Sequence, residues 1–310
     1  MYLITGGAGF IGSNLAEVLV ARGARVRVFD DFSAGLRENL HGLDVEVVEG
    51  DVRDFDALRR AMKGVEYVSH QAALRSVPRS VDDPMSTDAV NVHGTLQVLQ
   101  AAREAGVKRV VYASSSSVYG DSPELPKFEA QTPSPVSPYA VSKLTGELYC
   151  RVYTKLYGLE TVALRYFNVF GPKQSPESQY AAVVPLFMRA ALRGEPLEIH
   201  GDGTQSRDFT HIANVVQANL LGFEAPRAAG HAFNIACGDR RSLLDIVALL
   251  EKFHGRALER RHTPRRAGDV DHTHASIDKA RELMGYDPKV GFEDGMRHTW
   301  EVFTAKMAKN

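Results

Sequence analysis

The apolar residues of the first 170 positions alternate between two textures. Short runs at 2–4, 25–29, 45–48, 65–68 and 108–113 have the length and β-branched content of buried strands. Between them the spacing turns helical. Leu15, Val18 and Leu19 follow the first run, and Ala57, Leu58, Ala61 and Met62 follow the third. Residues 83–106 read as one long helix with Val90, Leu96, Val98, Leu99 and Ala102 on its apolar face and the polar Asn91 interrupting it. Strands and helices that alternate five times over predict an α/β fold, a doubly wound parallel sheet. Further on, 139–157, 181–194, 209–222, 243–253, 276–284 and 295–307 read as helices, and 160–167, 197–200, 232–236 and 258–261 as strands.

The first strand runs into Thr5-Gly-Gly-Ala-Gly-Phe-Ile-Gly12. Gly7-x-Gly9-x-x-Gly12 matches the dinucleotide fingerprint, in which glycines allow a tight turn, close approach of backbone N–H groups to a pyrophosphate, and helix–strand packing. The helix N-terminus then faces negative charge. The second strand ends in Asp30-Asp31, about 20 residues on, where a ribose-binding carboxylate belongs. An acid there disfavours a 2′-phosphate, so NAD is expected rather than NADP. Asp51, at the end of the third strand, suits either the adenine amino group or the N-cap of the helix starting near Asp54. Ala72 and Ala73, small residues at the end of the fourth strand, allow a cofactor close, and Arg75 just beyond suits a phosphate or ribose. Asn91 needs a buried partner, either a neighbouring backbone group or the cofactor side of the sheet.

The fifth strand ends in Ser114-Ser115-Ser116-Ser117. Farther on, Ser137 and Pro138 suit the cap and first turn of a helix, and Tyr139 and Lys143 then share a face at i and i+4. A phenol with an ordinary pKa near 10 is a poor base at neutral pH. A nearby ammonium and a positively charged nicotinamide both favour phenolate and bring it into range for proton transfer. Ser115, with Ser116 and Ser117 as neighbouring alternatives, would hold the substrate oxygen whose proton moves.

Composition narrows the class. With 44% hydrophobic and 24% charged residues the 310-residue chain is ordinary for a globular protein, and a net charge of −1 argues against a nucleic-acid partner. No apolar run nears the roughly 18 residues of a membrane span, and the chain enters a strand at once, so no signal peptide is expected. Cys150 and Cys237 make no disulfide framework, which fits a reducing cytoplasm. His272 and His274 lack a third ligand at metal spacing, so no metal is expected.

From these motifs, with Leu164-Arg-Tyr-Phe-Asn-Val-Phe-Gly171, Gly201-Asp-Gly-Thr-Gln-Ser-Arg-Asp208 and Arg266-Ala-Gly-Asp269, the chain resembles the extended short-chain dehydrogenase/reductases, and within them the nucleotide-sugar 4-epimerases. Tyr119-Gly-Asp121, Leu125-Pro-Lys127 and Tyr180-Ala-Ala-Val-Val-Pro185 resemble the N-acetylhexosamine subgroup. The resemblance implies a Rossmann-type NAD domain at 1–170 and a smaller α/β nucleotide-sugar domain at 171–310, with the chain recrossing between them. NAD would lie against Gly6, Gly9, Phe10, Ile11 and Gly12, against Asp30, Asp31, Phe32, Ser33 and Gly35, and against Asp51, Val52, Gln71, Ala72, Ala73, Arg75 and Asn91. Tyr139, Lys143, Tyr166 and Phe167 would flank its nicotinamide. The sugar nucleotide would meet Arg75, Ser76, Val77, Ser115 and Tyr139, with Asn168, Arg207 and Arg266 at the diphosphate. Ala182, Val183, Leu197, Ile199 and His200 would enclose the uracil, and Asp269 and Thr273 would complete the site.

The implied activity is NAD-dependent 4-epimerisation of a UDP-hexose through a transient 4-keto sugar, in a homodimer built on a four-helix interface. Thr273, small where galactose-type relatives often place Tyr, leaves room for an N-acetyl group and so supports UDP-GlcNAc/UDP-GalNAc beside UDP-Glc/UDP-Gal. Arg75, where that subgroup often has a small residue, leaves room for an acidic sugar. A UDP-glucuronate 4-epimerase or decarboxylase is thus the alternative, and a non-catalytic NAD sensor a remote one. A 4,6-dehydratase would need an acidic pair within the serine run, which has none.

Overall fold

The computed structural model describes residues 1–176, 182–264 and 271–307. Strands β1 (Tyr2–Thr5), β2 (Val26–Asp30), β3 (Val45–Glu49), β4 (Tyr67–His70), β5 (Arg109–Ser115) and β6 (Glu160–Tyr166) pair in parallel, in the order 3-2-1-4-5-6. A further parallel strand, His231–Ile235, lies beyond β6, so the second half of the chain returns to the main sheet. The order turns back at β1, and ligands of such sheets bind outside the carboxyl ends of the strands at that switch point. Central strands are apolar because helices cover both faces: β5 is buried from Arg109 to Ser114.

The helix Ile212–Glu224 packs on β5 and β6. Buried Arg109 of β5 donates to the carbonyls of Gly222, Phe223 and Ala225 at 2.8–3.1 Å, satisfying the helix's carboxyl end with a cation, where the helix dipole favours one. A separate apolar cluster joins the helices Val183–Arg193, Leu243–His254 and Phe292–Met307 to the short parallel pair Leu197–His200 and Arg260–Thr263.

Two expected elements differ. The long helix is three joined pieces, Pro84–Asp88, a π-helical turn at Ala89–His93, and Gly94–Glu104, with a separate short helix Val77–Asp82 before it. Residues 209–211, expected to open a helix, are extended: Thr210–His211 pairs with Val169–Phe170, and the helix begins at Ile212.

A one-directional hydrogen-bond chain ties β1 and β4 to the π turn. Thr95 Oγ1 donates its proton to the Asn91 carbonyl at 2.6 Å, so it accepts from His70 Nε2 at 2.9 Å. His70 Nδ1 then accepts from Thr5 Oγ1 at 2.6 Å. Only a neutral imidazole satisfies this chain, and burial pulls the His70 pKa down to about 3. Because the folded value lies below the ordinary 6.5, the unfolded chain binds more protons between those limits. The stability His70 contributes is complete above pH 6.5 and is lost as pH falls toward 3. Urea unfolding at pH 4.5 against pH 7.5 is expected to show about 3 kcal/mol of acid loss from this group. His70→Gln should flatten the pH dependence by that amount.

Candidate active site

The turn after β1 closes on itself. A Cβ at Gly12 would sit 2.4 Å from the Gly6 carbonyl oxygen, and one at Gly6, where φ is +66°, would meet the Ala72 nitrogen at 2.6 Å. Only glycine permits that approach. The turn opens a cleft lined by Gly6, Gly9, Phe10, Ile11, Gly12, Asp30, Asp31, Ser33, Gly35, Asp51, Val52, Gln71, Ala72, Ala73 and Arg75, as expected, together with Phe29, Ala34, Gly50, Leu74 and Val90, which sequence reasoning missed. Those five carry no chemistry that a motif would flag. Asp30 is buried and accepts from the N–H groups of Ala8 and Phe32 at 2.9 and 2.8 Å, one per carboxylate oxygen, so each oxygen keeps a lone pair for a ribose hydroxyl. Burial raises its pKa against those two bonds. A crowded glycine turn, an anchored carboxylate and a helix N-terminus on one cleft fit a dinucleotide.

Phe32, Asn91, Tyr166 and Phe167, four residues expected at the cofactor, are absent from the cleft wall. Phe32, at φ +55°, is absent from the cleft wall, and its ring lies under the Arg37 guanidinium 3.8 Å from the centroid. Asn91 is a clamp: it exchanges both amide hydrogen bonds with the Leu74 backbone, at 2.8 and 3.0 Å, and donates to Ser142 Oγ at 3.1 Å. It thereby fixes the cleft floor to the helix Pro138–Tyr157. Phe167 is 1% exposed within the core, and the buried Tyr166 hydroxyl is bound by Gln71 and Asn219, so neither side chain is offered to a ligand. Asp51 is shared between the cleft and a bidentate pair with Arg53, while Asp54 caps the following helix.

Tyr139 enters on the first turn of Pro138–Tyr157, whose cap is the Ser137 hydroxyl accepting from Ala140 N–H at 3.1 Å. The phenol lies close enough to Ser115, at the end of β5, and to Arg75, in the cleft wall, for each to favour its ionised form. Both favour phenolate, but burial outweighs them and holds the pKa above its ordinary value. Lys143 makes no direct hydrogen bond to the phenol. It is buried, its Nζ donates to the Ala113 carbonyl at 2.9 Å, and it lies 5.9 Å from the Tyr139 ring centroid. Burial pulls Lys143 down to about 8. Among the three serines, Ser115 is the one close enough to influence the Tyr139 phenol, and it also accepts from Ser117 N–H at 3.2 Å. The Ser117 hydroxyl is buried without a partner among the described residues.

β6 is in register with β5 so that Tyr166 pairs with Ser115, and two residues later Asn168 lines a second cavity of about 430 Å³. Ala182, Val183, His200 and Arg207 line it as expected, with Phe187, Arg189, Glu198 and Gln205 in addition. Leu197 and Ile199 do not: both are 0% exposed in the core, because strand residues alternate faces and it is Glu198 and His200 that face the cavity. Asn168, at φ +33°, donates its amide to the Asp208 carbonyl and Thr273 Oγ1 at 3.1 and 3.0 Å, so both N–H groups point inward. Thr273 is therefore held by the protein as well as being small. Ser76, at φ +126°, caps the helix Val77–Asp82, and Val77 is exposed; neither lines the cleft or this cavity. Arg266 and Asp269 lie outside the described residues. No three His, Cys, Asp or Glu side chains among the described residues gather to hold a metal, and no helix there is long and apolar enough to cross a membrane.

Gly12→Ala should lower the dinucleotide content of purified protein at least about tenfold, read as nucleotide released on acid precipitation. Gly291→Ala, where a Cβ meets open space, should leave it unchanged.

Comparison with known proteins agrees with this architecture. Residues 2–236 match the model of the NAD dependent epimerase/dehydratase family. The chain is 39% identical to a UDP-glucose 4-epimerase of Mycolicibacterium smegmatis, over 98% of both chains. Its structure superposes on the Thermotoga maritima UDP-glucose 4-epimerase with UDP-glucose at a TM-score of 0.95, with 36% identity and 99% of each chain covered. It superposes on the UDP-N-acetylglucosamine 4-epimerase of Methanobrevibacter ruminantium, in complex with UDP-N-acetylmuramic acid, at 0.94, with 36% identity and 99% and 98% covered. A parallel sheet in the 3-2-1-4-5-6 order, a glycine-lined dinucleotide cleft and these matches place the chain in the NAD-dependent epimerase/dehydratase family of extended short-chain dehydrogenase/reductases.

Proposed function

We propose that the protein is a UDP-hexose 4-epimerase that interconverts UDP-GlcNAc with UDP-GalNAc and UDP-glucose with UDP-galactose. The observation that carries this reading is the proximity of Tyr139 to Ser115 at the carboxyl end of β5, between the dinucleotide cleft, lined by Gln71 to Arg75 just past β4, and the cavity of about 430 Å³, lined by Asn168 just past β6. NAD held in the cleft supplies a reversible hydride acceptor for C4 of the sugar. Ser115 holds the 4-hydroxyl oxygen, and Tyr139 takes its proton as C4 becomes a ketone. The same phenol returns the proton once the opposite face of C4 is reduced, so no net oxidation occurs. Arg75, Ser115 and a cationic nicotinamide ring act together against the burial that raises the phenol's pKa.

Arg75 lines the dinucleotide cleft, not the second cavity, and pairs with no carboxylate among the described residues. That placement supports a diphosphate contact over a sugar carboxylate, and so a neutral hexose over a hexuronate. Thr273, with its hydroxyl turned to Asn168 and Asp208, supports room for a C2 N-acetyl group.

A homodimer belongs to this proposal. Val141, Leu148, Val152 and Leu156 form a stripe 43–66% exposed along Pro138–Tyr157, beside Val81 and Met85 at 61% and 79%. An apolar stripe on a helix that also carries the reacting phenol fits a second copy of the same stripe. Leu148→Glu with Val152→Glu should convert the dimer to monomer in light scattering.

The function is tested by incubating the purified protein, with no added NAD, with UDP-GlcNAc and following the anomeric signals by proton NMR. UDP-GalNAc is expected to appear, and Tyr139→Phe should lower its rate at least about a thousandfold with NAD still bound. Turnover of UDP-glucuronate alone would move the assignment to an acidic sugar, and full activity of Tyr139→Phe would remove the phenol from the mechanism.

A further inference from the structure

Behind the reacting edge lies a buried ion pair that the proposed chemistry does not use. Glu147, on the same helix as Tyr139 and Lys143 and four residues past the lysine, pairs with Arg165 of β6. Their side chains are 3% and 5% exposed. Arg165 reaches both carboxylate oxygens, Nε to one at 2.9 Å and Nη2 to the other at 2.8 Å. The first oxygen also accepts from the Ser114 hydroxyl, on the residue before Ser115. One carboxylate thus ties the helix bearing Tyr139 to the strand bearing Ser115 and to the neighbouring strand.

The network continues. Arg165 Nη1 donates to the Tyr119 hydroxyl at 2.8 Å, and that hydroxyl donates to Asn234 Oδ1 at 2.7 Å. Tyr119 closes the short 3-10 turn Ser116–Tyr119 that follows Ser115, and it is 2% exposed. Asn234 Nδ2 donates to the carbonyls of Lys127 and Ser276 at 2.9 and 3.1 Å. Lys127 N–H in turn donates to the His274 carbonyl at 2.7 Å, next to Thr273. An unbroken run of directed bonds therefore joins the Tyr139 helix, the Ser115 strand and the segment holding Thr273.

A buried ion pair is weak evidence for stability, because desolvation consumes most of its attraction. Its strength lies in fixed geometry, since a guanidinium fork accepts one orientation of a carboxylate. We propose that Glu147, Arg165 and Tyr119 are positioning residues that set the Tyr139–Ser115 separation and hold it in register with the Thr273 segment. The proposal rests on the reading that Tyr139 and Ser115 handle the 4-hydroxyl.

Tyr119→Phe removes one hydroxyl from the network and leaves Tyr139, Ser115 and the ion pair in place. Its expected effect is a kcat lower by about ten- to a hundredfold, the cost of a reacting group displaced by a fraction of an ångström to an ångström. KM for UDP-GlcNAc should stay within about twofold and NAD content should not change. A displaced Ser115 also withdraws one of the influences that favour phenolate, so the acid limb of the kcat–pH profile should move to higher pH. A structural role alone would lower the amount of folded enzyme and leave that limb where it was. Ser114→Ala, which removes one donor from Glu147 and leaves the carboxylate paired with Arg165, should shift the limb the same way and serves if Tyr119→Phe does not fold. Wild-type kcat and an unmoved limb in the folded variant would overturn the positioning role and leave the epimerase reading intact. An active Tyr139→Phe would instead overturn that reading and this inference with it.

Discussion

In a parallel sheet every strand ends at one edge, and the last N–H and C=O groups of each need partners there. That requirement shapes the carboxyl edge of this protein. Gly6 N–H reaches back to the Phe29 carbonyl at 2.8 Å, Gln71 N–H to that of Thr5 at 3.0 Å, Gly50 N–H to that of Asp30 at 3.0 Å, and Phe167 N–H to that of Ile235 at 3.1 Å. The ladder thus runs one residue past each of those strands, and the chain then turns sharply. Past β1 and β4 small residues come next because the two turns crowd one another: a Cβ at Gly6 would meet Ala72. The cleft is the space that remains where they part, and Gly6, Gly9, Gly12, Gly35 and Gly50 are part of its wall.

Side chains carry the rest of the order, and they do so through polar groups with one satisfying arrangement. The Thr5–His70–Thr95 chain admits a single tautomer. Asp208, 0% exposed, accepts from the N–H groups of Cys237, Gly238 and Ala275 and so gathers three segments on one carboxylate. Burial pushes that carboxyl up to about 6 despite those bonds. Apolar packing alone tolerates small rearrangements, whereas such networks cost free energy when any member is misplaced. Precision around the phenol is thus stored in polar contacts set behind it.

The sequence made much of this legible. Apolar periodicity placed the strands of the sheet because buried parallel strands read as uniform runs, and the glycine spacing located the cleft because backbone crowding at Gly6 and Gly12 leaves no alternative residue. Ser137 and Pro138 marked the start of the Tyr139 helix through capping chemistry. The features that escaped depended on direction. Leu197 and His200 sit on one strand, yet alternation sends the first into the core and the second to the cavity. Lys143 was visible as a cation four residues from Tyr139, but the acceptor it binds, Ala113 O, lies on β5. Arg75, remote from Tyr139 in sequence, also brings its charge to the phenol. Asn91 showed as a buried polar residue and gave no hint of which backbone it would grip.

The π turn at Ala89–His93 shows how that grip is held. A π turn accommodates one residue more than an α turn of the same rise, and so rotates the helix on its N-terminal side relative to the helix on its C-terminal side. The downstream helix keeps Val98, Leu99 and Ala102 in the core, while Asn91 faces Leu74 and Ser142. Deleting Ala89, Val90, Val92 or His93 would restore the regular helical repeat and turn Asn91 by roughly 100° relative to one of the two flanking helices. The distance between the cleft floor and the phenol's helix is therefore encoded in the number of residues as well as in their identity. Length variation in this helix is constrained even where its side chains are free to change.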